Sequence, residues 1–482
     1  MKRTRRIHAG LSVVLGMLMN AVIANERPNI IFILVDDLGW GDVEFNGQSK
    51  IKTPALTQMA EEGAVLTDFY AGAPVCGPSR ATLLYGQHTG RAPIRGNPRW
   101  TVSGQRPVMS ADSQVFPKAL KKAGYTTAVF GKWAMNEVIT NPDTGDGEGH
   151  PFRQGFDEFV GFNTHLEAHY HWPDYVWDGH EKMMLGEGKG ENWRKKLCYA
   201  DDLFTEKTLD FIDRKAGEPF FIYLNYTAPH KGYSAPAEHR KPYEGLGWPH
   251  HKGRVAHYRD DEDVFTAYAG MISSFDEGIG QIRAKLAEKG IAENTLIIFT
   301  NDNGDEISAD FFESEGALRC GKRMLTEGGI RMPTVAVWPK VIQPGSKVSH
   351  ALAFWDVMPT LCEIVGAEPH AECDGISFLP ALKGDVDAQK EHEYLYWEFN
   401  EKAGPMQALR FGNYKVIRYW NKSKEIMGKI KLYDLSVDLK EKHDIAGQNP
   451  EVVAQAVQYF AEARTHHPEW ELSPRQPASP RK

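Results

Sequence analysis

The chain of 482 residues has no excess of positive charge, few cysteines and, beyond its N-terminus, no long apolar run. Its formal net charge is -8 at pH 7, which argues against nucleic acid as the main partner. An anionic substrate would therefore need basic residues gathered locally. Because no later stretch is long and apolar enough to cross a bilayer, we expect no stable membrane anchor.

The chain has only five cysteines, which are Cys76, Cys198, Cys320, Cys362 and Cys373. Cys362 and Cys373 are close enough in sequence to form a bridge. Spacing alone does not establish that bridge, and buried free thiols remain an equal alternative.

Residues 1–24 have the pattern of a signal peptide. Basic residues at the start precede a mostly apolar stretch over 9–24, and Val22-Ile23-Ala24 is an acceptable cleavage site. The apolar stretch is short for a membrane span, and no cysteine follows it directly as in a lipoprotein. We therefore expect an exported protein, periplasmic or secreted after cleavage.

Hydrophobic residues make up 41% of the chain and charged residues 25%, as in ordinary globular proteins. Apolar, β-branched runs alternate with helical patterns over the first three quarters of the chain, which predicts a doubly wound, mostly parallel sheet. The predicted strands are 27–35, 64–70, 125–130, 219–226, 295–300 and 334–338, and the predicted helices are 53–63, 113–123, 200–214 and 264–290.

The pattern changes near residue 375. Short apolar runs at 393–399, 407–410, 414–417 and 431–435 predict a small antiparallel sheet, and 450–463 predicts a closing amphipathic helix. We expect a catalytic domain over 25–375, an α+β subdomain over 376–465 and a flexible tail over 466–482.

Oxygen-bearing side chains follow two of the predicted central strands. Asp36-Asp37 comes after the first, and Asp302-Asn303 follows the strand at 295–300. Ligands bind at the carboxyl ends of strands in open α/β sheets, and adjacent carboxylates repel unless a cation lies between them. If the two strand ends meet, an all-oxygen cage results, which favours calcium or magnesium over zinc. Lys132 and His230 also lie just past strand ends and are candidates for binding an anion.

Cys76 lies in a turn-rich loop, 73–80, that precedes an apolar run at 81–85. If a helix starts near Ser79, its free N–H groups and dipole place Cys76 at a positive end with Arg80 close by. That is a suitable position for a nucleophile that faces an anionic substrate. The alternative is a buried cysteine in a proline-rich turn.

A third candidate region, 156–178, mixes aromatic and polar residues in a way that suits sugar binding. The alternative is a long excursion packed on its own aromatic rings, and no histidine spacing typical of a metal site is present. The residues concerned are His165, His169, His171, Trp172, Tyr175 and Trp177.

The segment Cys76-x-Pro78-Ser79-Arg80, followed by the apolar run and Gly86, resembles the signature of the type I, formylglycine-dependent sulfatases of the alkaline phosphatase superfamily. The resemblance extends over nearly the whole mature chain. It implies a large mixed, mostly parallel sheet sandwiched by helices, with a small C-terminal antiparallel-sheet subdomain and packed helix. It also implies that a maturation enzyme converts Cys76 to formylglycine.

The resemblance further implies a set of site residues. One calcium ion would be bound by Asp36, Asp37, Asp302, Asn303 and the modified residue 76. Arg80 would steady the formylglycine hydrate, whose hydroxyl attacks sulfur. The sulfate oxygens would be held, and the leaving group assisted, by Lys132, His230 and Lys322.

One position departs from the family. Its members commonly contain Gly-Lys-Trp-His, whereas this chain has Gly131-Lys132-Trp133-Ala134. A sulfate contact is therefore missing, and we expect that His165 or His169 supplies it, that the substrate binds differently, or that activity is weak.

The sequence thus predicts a sulfatase acting on sulfated glycans, and family likeness favours galactose or N-acetylgalactosamine units sulfated at O4 or O6. Two alternatives remain. One is a phosphodiester or phosphonate monoester hydrolase of the same superfamily, and the other is a non-catalytic relative that binds sulfated glycan.

Overall fold

The computed structural model describes residues 27–97, 101–103, 105–307, 310–401 and 404–473. The expected signal peptide, residues 1–24, lies outside the described residues. Within these ranges, none of the helices combines the length and the apolar character that a membrane span requires.

A ten-stranded mixed sheet is built around β1 (Asn29–Val35), which is buried along its whole length. Its apolar side chains on both faces explain this central position, because neither face has to meet water. From one edge to the other the strands are β11 (Ser346–Val348), β2 (Ala64–Leu66), β10 (Val335–Val337), β9 (Thr295–Asn301), β1, β8 (Phe220–Asn225), β4 (Thr126–Lys132), β5 (Glu158–Phe162), β6 (Tyr175–Asp178) and β7 (Glu181–Met184).

The centre of this sheet, from β9 to β5, is entirely parallel, whereas β10, β6 and β7 run antiparallel to their neighbours. The predicted mixed, mostly parallel sheet is confirmed. The predicted strand 64–70 is wrong in one respect, because the chain turns at Thr67-Asp68. Its second part, β3 (Phe69–Tyr70), leaves the large sheet and pairs with β12 (Leu352–Ala353).

Helices cover both faces of the large sheet. In chain order they are α1 (Pro54–Glu62), α2 (Cys76–Tyr85), α3 (Phe116–Lys122), α4 (Glu191–Lys195), α5 (Ala200–Lys215), α6 (Ala237–Arg240), α7 (Val264–Glu288), α8 (Glu327–Ile330), α9 (Val357–Val365), α10 (Leu379–Leu382) and α11 (Pro450–Glu462). Single 3-10 turns occur at Glu44–Asn46, Pro151–Gln154, Glu167–His169, Lys241–Tyr243, Ala292–Asn294, Phe354–Asp356 and Ala446–Gln448.

Alternate side chains of β1 belong to two different cores. Phe32 and its even-numbered neighbours pack with residues of α2, α3 and α9, whereas Ile31 and Ile33 pack with α1, α5 and α7. Each such buried apolar side chain stabilises the fold by about 1.5–3 kcal/mol. The sheet is therefore held between two helical layers, and its carboxyl edge stays free to carry a site.

A second, antiparallel sheet follows, as predicted. It consists of β13 (Leu395–Glu401), β14 (Gly404–Phe411), β15 (Tyr414–Asn421), β16 (Ile426–Met427) and β17 (Lys431–Asp434). α11 packs on it through Ala456, Tyr459 and Phe460. The boundary at 375/376 remains a prediction.

Five charges, four of them buried and Asp68 half-buried, join the two sheets, and we call them the interdomain ion cluster. Lys415 of β15 donates to Glu327 Oε1 at 2.7 Å, and Arg331 Nη1 lies 3.3 Å from the other oxygen. Asp68 accepts from Arg410 at 2.6 Å and from Arg331 at 2.9 Å, one at each oxygen. All four carboxylate oxygens therefore have a cationic partner.

The packed part of the chain extends further than predicted. The sequence places the start of a flexible tail at residue 466, but Trp470 is buried and its Nε1 donates to the Pro93 carbonyl at 2.8 Å. The indole packs beside Pro93, and the Trp470 carbonyl accepts a hydrogen bond from Arg464, so the chain beyond residue 466 is held against the rest of the protein.

Candidate active site

The carboxyl ends of β1 and β9 lie side by side because the two strands are parallel neighbours paired in register. Asp36-Asp37 and Asp302-Asn303, which follow these strands, therefore meet at one edge of the sheet. The backbone N–H of Asp37 donates to Asp302 Oδ1 at 3.3 Å, and Asn303 Nδ2 donates to Asp37 Oδ1 at 2.7 Å. We call these four buried residues the oxygen rim.

Cys76 is the first residue of α2, after an extended N-cap at Val75. The helix starts earlier than the sequence indicates, since Pro78 lies in its first turn, where proline is tolerated. Cys76 is thus held at the end of a buried helix where unpaired N–H groups create positive potential. Its residual exposure is 6%.

Arg80, one turn into α2, links this helix to the sheet. Its Nε donates to Asp302 Oδ2 at 2.9 Å, and its Nη1 donates to the Lys132 carbonyl at 3.0 Å and to Asn225 Oδ1 at 2.9 Å. Its Nη2 has no partner among the described residues. The guanidinium is therefore fixed on one side and has one free donor.

Two buried lysines face the rim. Lys132, the last residue of β4, contacts Asp36, and Lys322 donates to Asp37 Oδ1 at 2.6 Å and lies 3.4 Å from Glu306. Burial opposes the charge of both lysines, but the facing carboxylates prevail and raise the pKa of each. Both lysines are therefore cations at neutral pH.

The rim carboxylates differ in their pKa values. Burial raises the pKa of Asp37 to about 7 in spite of Lys322, and burial together with the charge of Asp36 holds the pKa of Asp302 well above its ordinary value. For Asp36, burial is outweighed by Lys132 and His230, which lower its pKa. The cations present thus do not fully compensate the rim, and a further positive charge would do so.

The donor set fits a hard divalent cation. Asp36 Oδ1 and Asn303 Oδ1 are buried and accept no hydrogen bond from the described residues. Buried oxygens are rarely left without a partner, so these two point to a ligand that supplies one. Carboxylate and amide oxygens are the ligands that calcium prefers.

Two histidines lie next to each other beside the rim. Nε2 of His230 is 3.6 Å from Asp37 Oδ2, and Asp36, Asp37 and His230 offer ligand atoms within 4.8 Å of one another. The ring of His169 is stacked on His230 at 5.2 Å between centroids. Burial lowers the pKa of His169 to about 2 and that of His230 well below its ordinary value, so both rings are neutral at pH 7.

His165, the other histidine expected to supply the missing sulfate contact, lies beside residue 76. A β-carbon built on Gly77 would be 3.4 Å from His165 Nε2. The Nδ1 of this ring lies 2.7 Å from Glu137 Oε1, and Glu137 also accepts from Arg106 at 2.8 Å. Burial alone would lower the pKa of His165, but Cys76 and Glu137 raise it to about 9.

The same contacts act on the cysteine. Burial would raise the pKa of the Cys76 thiol, but the charges of Lys132 and His165 outweigh burial and lower the pKa to about 5. Residue 76 thus lies in a strongly cationic environment although the chain as a whole is acidic. Such an environment suits the binding of an oxyanion.

Ala134, the position that departs from the family motif, lines a small cavity next to His165. The cavity has a volume of about 10 Å³, enough for one water molecule. Its lining residues are Gly77, Ile94, Gly96, Pro107, Ala134, Met135, Glu137 and His165. Of the two histidines expected to replace the missing one, His165 is therefore the one that shares a cavity with position 134.

The rings of the region 156–178 divide into two groups. Trp172 and Trp177 are buried, and their Nε1 atoms donate to Ser234 and Glu167 at 2.9 Å each. The expectation that these two rings contact sugar is wrong, because both are packed inside the protein. His165 and His169 are the members of this region that lie at the candidate site.

Sequence reasoning missed several residues at the site. Asn225 ends β8 and holds Arg80, and the strand-end argument that identified Asp36 would have found it. Glu306 follows the predicted metal-binding segment closely and contacts Lys231 and Lys322. No sequence signal points to Glu137, which contacts His165, to His257, which contacts His169, or to Tyr258, which packs on His230 at 5.8 Å between ring centroids. Each of the three reaches the site from an irregular segment.

The sequence model of the Sulfatase family matches residues 28–367, and that of the C-terminal part of N-sulphoglucosamine sulphohydrolase matches 319–465. The N-acetylgalactosamine-6-sulfatase of Mus musculus is 32% identical over 430 residues, which cover 83% of this chain and 74% of the mouse protein.

Solved structures agree with these matches. Ps i-CgsB, which has also been solved in complex with k-i-k-neocarrahexaose, superposes with a TM-score of 0.74 at 26% identity and covers 93% of this chain and 95% of its own. The phosphonate monoester hydrolase of Agrobacterium radiobacter superposes with a TM-score of 0.65 at 18% identity, covering 91% and 95%, and shares the fold.

Proposed function

We propose that this chain, which belongs to the sulfatase family of sulfuric ester hydrolases, releases sulfate from sulfated carbohydrates. The proposed substrates are glycans with galactose or N-acetylgalactosamine units sulfated at O4 or O6. The name of the mouse relative and the oligosaccharide bound to Ps i-CgsB support this choice.

The observation that carries the proposal is the group of buried cations around residue 76. Arg80, Lys132 and Lys322 are all close to fully buried in a chain whose net charge is -8. Buried cations that converge on a potential nucleophile stabilise the charge that develops on equatorial oxygens during transfer of a sulfuryl group.

We assign the oxygen rim to one calcium ion, held by Asp36, Asp37, Asp302 and Asn303 together with modified residue 76. The buried oxygens without partners support this assignment. A bound calcium ion supplies positive charge that acidifies a hydroxyl on residue 76 and draws electron density from the sulfate.

We also assign Cys76 to conversion to formylglycine by a maturation enzyme. The hydrated aldehyde supplies one hydroxyl to attack sulfur and a second whose deprotonation lets sulfate leave by C–O cleavage. Arg80 is fixed by its contacts to the rim, β4 and β8, and its remaining donor nitrogen, Nη2, steadies the hydrate.

The remaining residues bind and orient the sulfate ester. Lys132, Lys322 and His230 hold its oxygens, and one of the two lysines, which are cations at neutral pH, donates the proton that the leaving sugar oxygen needs. We place His165 on the sulfate in the role left open by Ala134, with His169 bordering the sugar. Glu137 orients His165 through the 2.7 Å contact at Nδ1.

The proposal is tested by sulfate release from a panel of sulfated galactose and N-acetylgalactosamine saccharides. The protein is matured with the formylglycine-generating enzyme, and mass spectrometry of the peptide with residue 76 verifies the aldehyde. We expect release from at least one saccharide and none from the Cys76→Ala variant. No release from any member by verified protein overturns the proposal, and faster cleavage of an aryl phosphate diester than of an aryl sulfate favours the phosphoester alternative.

We further propose that the protein acts after export, in the periplasm or outside the cell. The basic and apolar pattern of residues 1–24 supports this placement. N-terminal sequencing of protein recovered from the exported fraction should begin near Asn25, and an intact N-terminus in the cytosol would contradict export.

A further inference from the structure

A basic surface patch lies next to the proposed active site, and none of the proposed roles uses it. A continuous series of ring contacts leads to it from His230. Nδ1 of His169, whose ring stacks on His230, lies 2.9 Å from Nε2 of His257. The ring of His257 packs on Tyr170 at 5.9 Å between centroids, and the Arg259 guanidinium lies 5.1 Å from the centroid of Tyr170.

Two guanidinium groups converge at the end of this series. A β-carbon built on Gly190 would lie 3.3 Å from Arg194 Nη1 and 3.5 Å from Arg259 Nη1. Gly190 has a φ of 76°, a backbone conformation that suits glycine and leaves this space open. Both arginines therefore face the same small region of the surface.

Neither arginine has a carboxylate partner among the residues that the structure describes, and Arg194 Nη1 donates to the Lys189 carbonyl at 2.6 Å. The acidic side chains nearby are used elsewhere, since Glu191 pairs with Lys195 at 2.5 Å, Asp261 pairs with Lys196 at 3.1 Å, and Asp174 Oδ2 accepts from the Gly190 N–H at 2.7 Å. Two cations held side by side repel each other, and an anion bound between them relieves that repulsion.

We propose that Arg194, Arg259, Tyr170 and His257 form a second anion-binding subsite, which we call the lip. It binds a sulfate or carboxylate group on the sugar next to the one that loses its sulfate. This inference rests on the proposed function and makes it more specific, because it assigns the enzyme to polyanionic chains. Arginine binds both oxyanions through paired N–H donors, and the tyrosine and histidine rings pack on the sugar between the two subsites.

The test is binding of three trisaccharides to the Cys76→Ala protein by calorimetry. Each trisaccharide carries the same terminal sulfated galactose or N-acetylgalactosamine, and the neighbouring sugar is uncharged, sulfated or a uronic acid. We expect about tenfold tighter binding when the neighbour carries an anion, a preference that falls with rising salt. The larger of the two gains identifies the preferred oxyanion.

In the Cys76→Ala background, Arg194→Ala combined with Arg259→Ala should reduce the ratio of the affinities for the charged and uncharged trisaccharides towards one. The matched control, Lys340→Ala combined with Lys347→Ala, removes the same charge beside β11, the opposite edge strand of the sheet, and should keep the preference. Because the readout is a ratio within one protein, a general loss of stability does not affect it.

Three results would overturn the proposal that the lip binds an anion. They are equal affinity for the three trisaccharides, no measurable binding of any of them, and a preference that survives the double arginine substitution. Failure of the wild-type protein to release sulfate counts against the proposed function instead. The two failures are distinguishable because the binding ratio is measured in a protein that cannot turn over.

Discussion

The oxygen rim and the interdomain ion cluster are both buried groups of charges, but their carboxylates differ in what they contact. In the cluster, every oxygen of Asp68 and Glu327 has a cationic partner. In the rim, the Asp36 carboxylate oxygen Oδ1 and the Asn303 amide oxygen Oδ1 have no hydrogen-bond partner among the described residues.

The pKa values do not follow this division residue by residue, because Asp36 has a lowered pKa although its Oδ1 has no partner, and Asp37 has a raised pKa although Lys322 contacts both its oxygens. Burial would raise the pKa of Glu327, but Lys415 and Arg331 outweigh it and lower the pKa to about 2, whereas burial raises the pKa of Asp37 to about 7. Charges that are fully paired hold two parts of the fold together. Charges that are left partly unpaired are tolerated where a ligand completes them.

The largest expected effect is on stability, from Lys415→Met in the interdomain ion cluster. The substitution leaves Glu327 buried with one cation fewer, which should lower the free energy of unfolding by about 3–5 kcal/mol. Denaturant unfolding measures this loss, and kcat on an aryl sulfate at low temperature should stay close to wild type. A stable variant with lost activity would contradict a purely structural role.

Asp37→Asn is the corresponding change in the oxygen rim and should have the opposite result. The raised pKa means that burial disfavours the charged form of Asp37, and Asn keeps one oxygen for Lys322, which also retains Glu306 at 3.4 Å. Metal-free protein above pH 7 should therefore lose much less stability than Lys415→Met loses. Sulfate release should fall at least about 100-fold through lost metal affinity. A large loss of stability with retained activity would show that Asp37 stabilises the fold and does not bind a catalytic metal ion.

Much of this comparison was predictable from sequence. The strand-end argument placed Asp36, Asp37, Asp302 and Asn303 correctly because parallel strands must end at one edge of a sheet. Nothing comparable identified the cluster, since Lys415 and Glu327 meet only through the docking of two separate sheets. Trp172 and Trp177 were misjudged because composition does not distinguish a packed ring from an exposed one.

Acid should weaken the interdomain ion cluster in a defined range. The pKa of Glu327 is depressed to about 2, so its contribution is fully present above its ordinary value near 4.5 and is lost as pH falls towards 2. By pH 3 the wild type should lose about 2 kcal/mol from this group. Thermal unfolding at pH 5 and pH 3 measures it, and an equal loss in Glu327→Gln would show that other groups are responsible.

The smallest effect concerns His165. His165→Ala should lower kcat/KM about tenfold by removing a hydrogen bond to the sulfate from a ring that Glu137 orients. Adding Ala134→His should restore part of the loss, since position 134 lines the same cavity and its φ of 55° is one that histidine adopts more readily than most residues. His443→Ala, at an exposed site, serves as the control, and an unchanged His165→Ala enzyme would remove this residue from the site.

The most direct test of the account is the calcium content of the purified protein, because the unpaired oxygens of the rim are its central observation. Elemental mass spectrometry after dialysis against calcium should give one ion per chain in the wild type, none in Asp37→Asn, and one in Lys415→Met. Equal calcium in the wild type and Asp37→Asn, or none in the wild type, would contradict the assignment of the rim as a cation site.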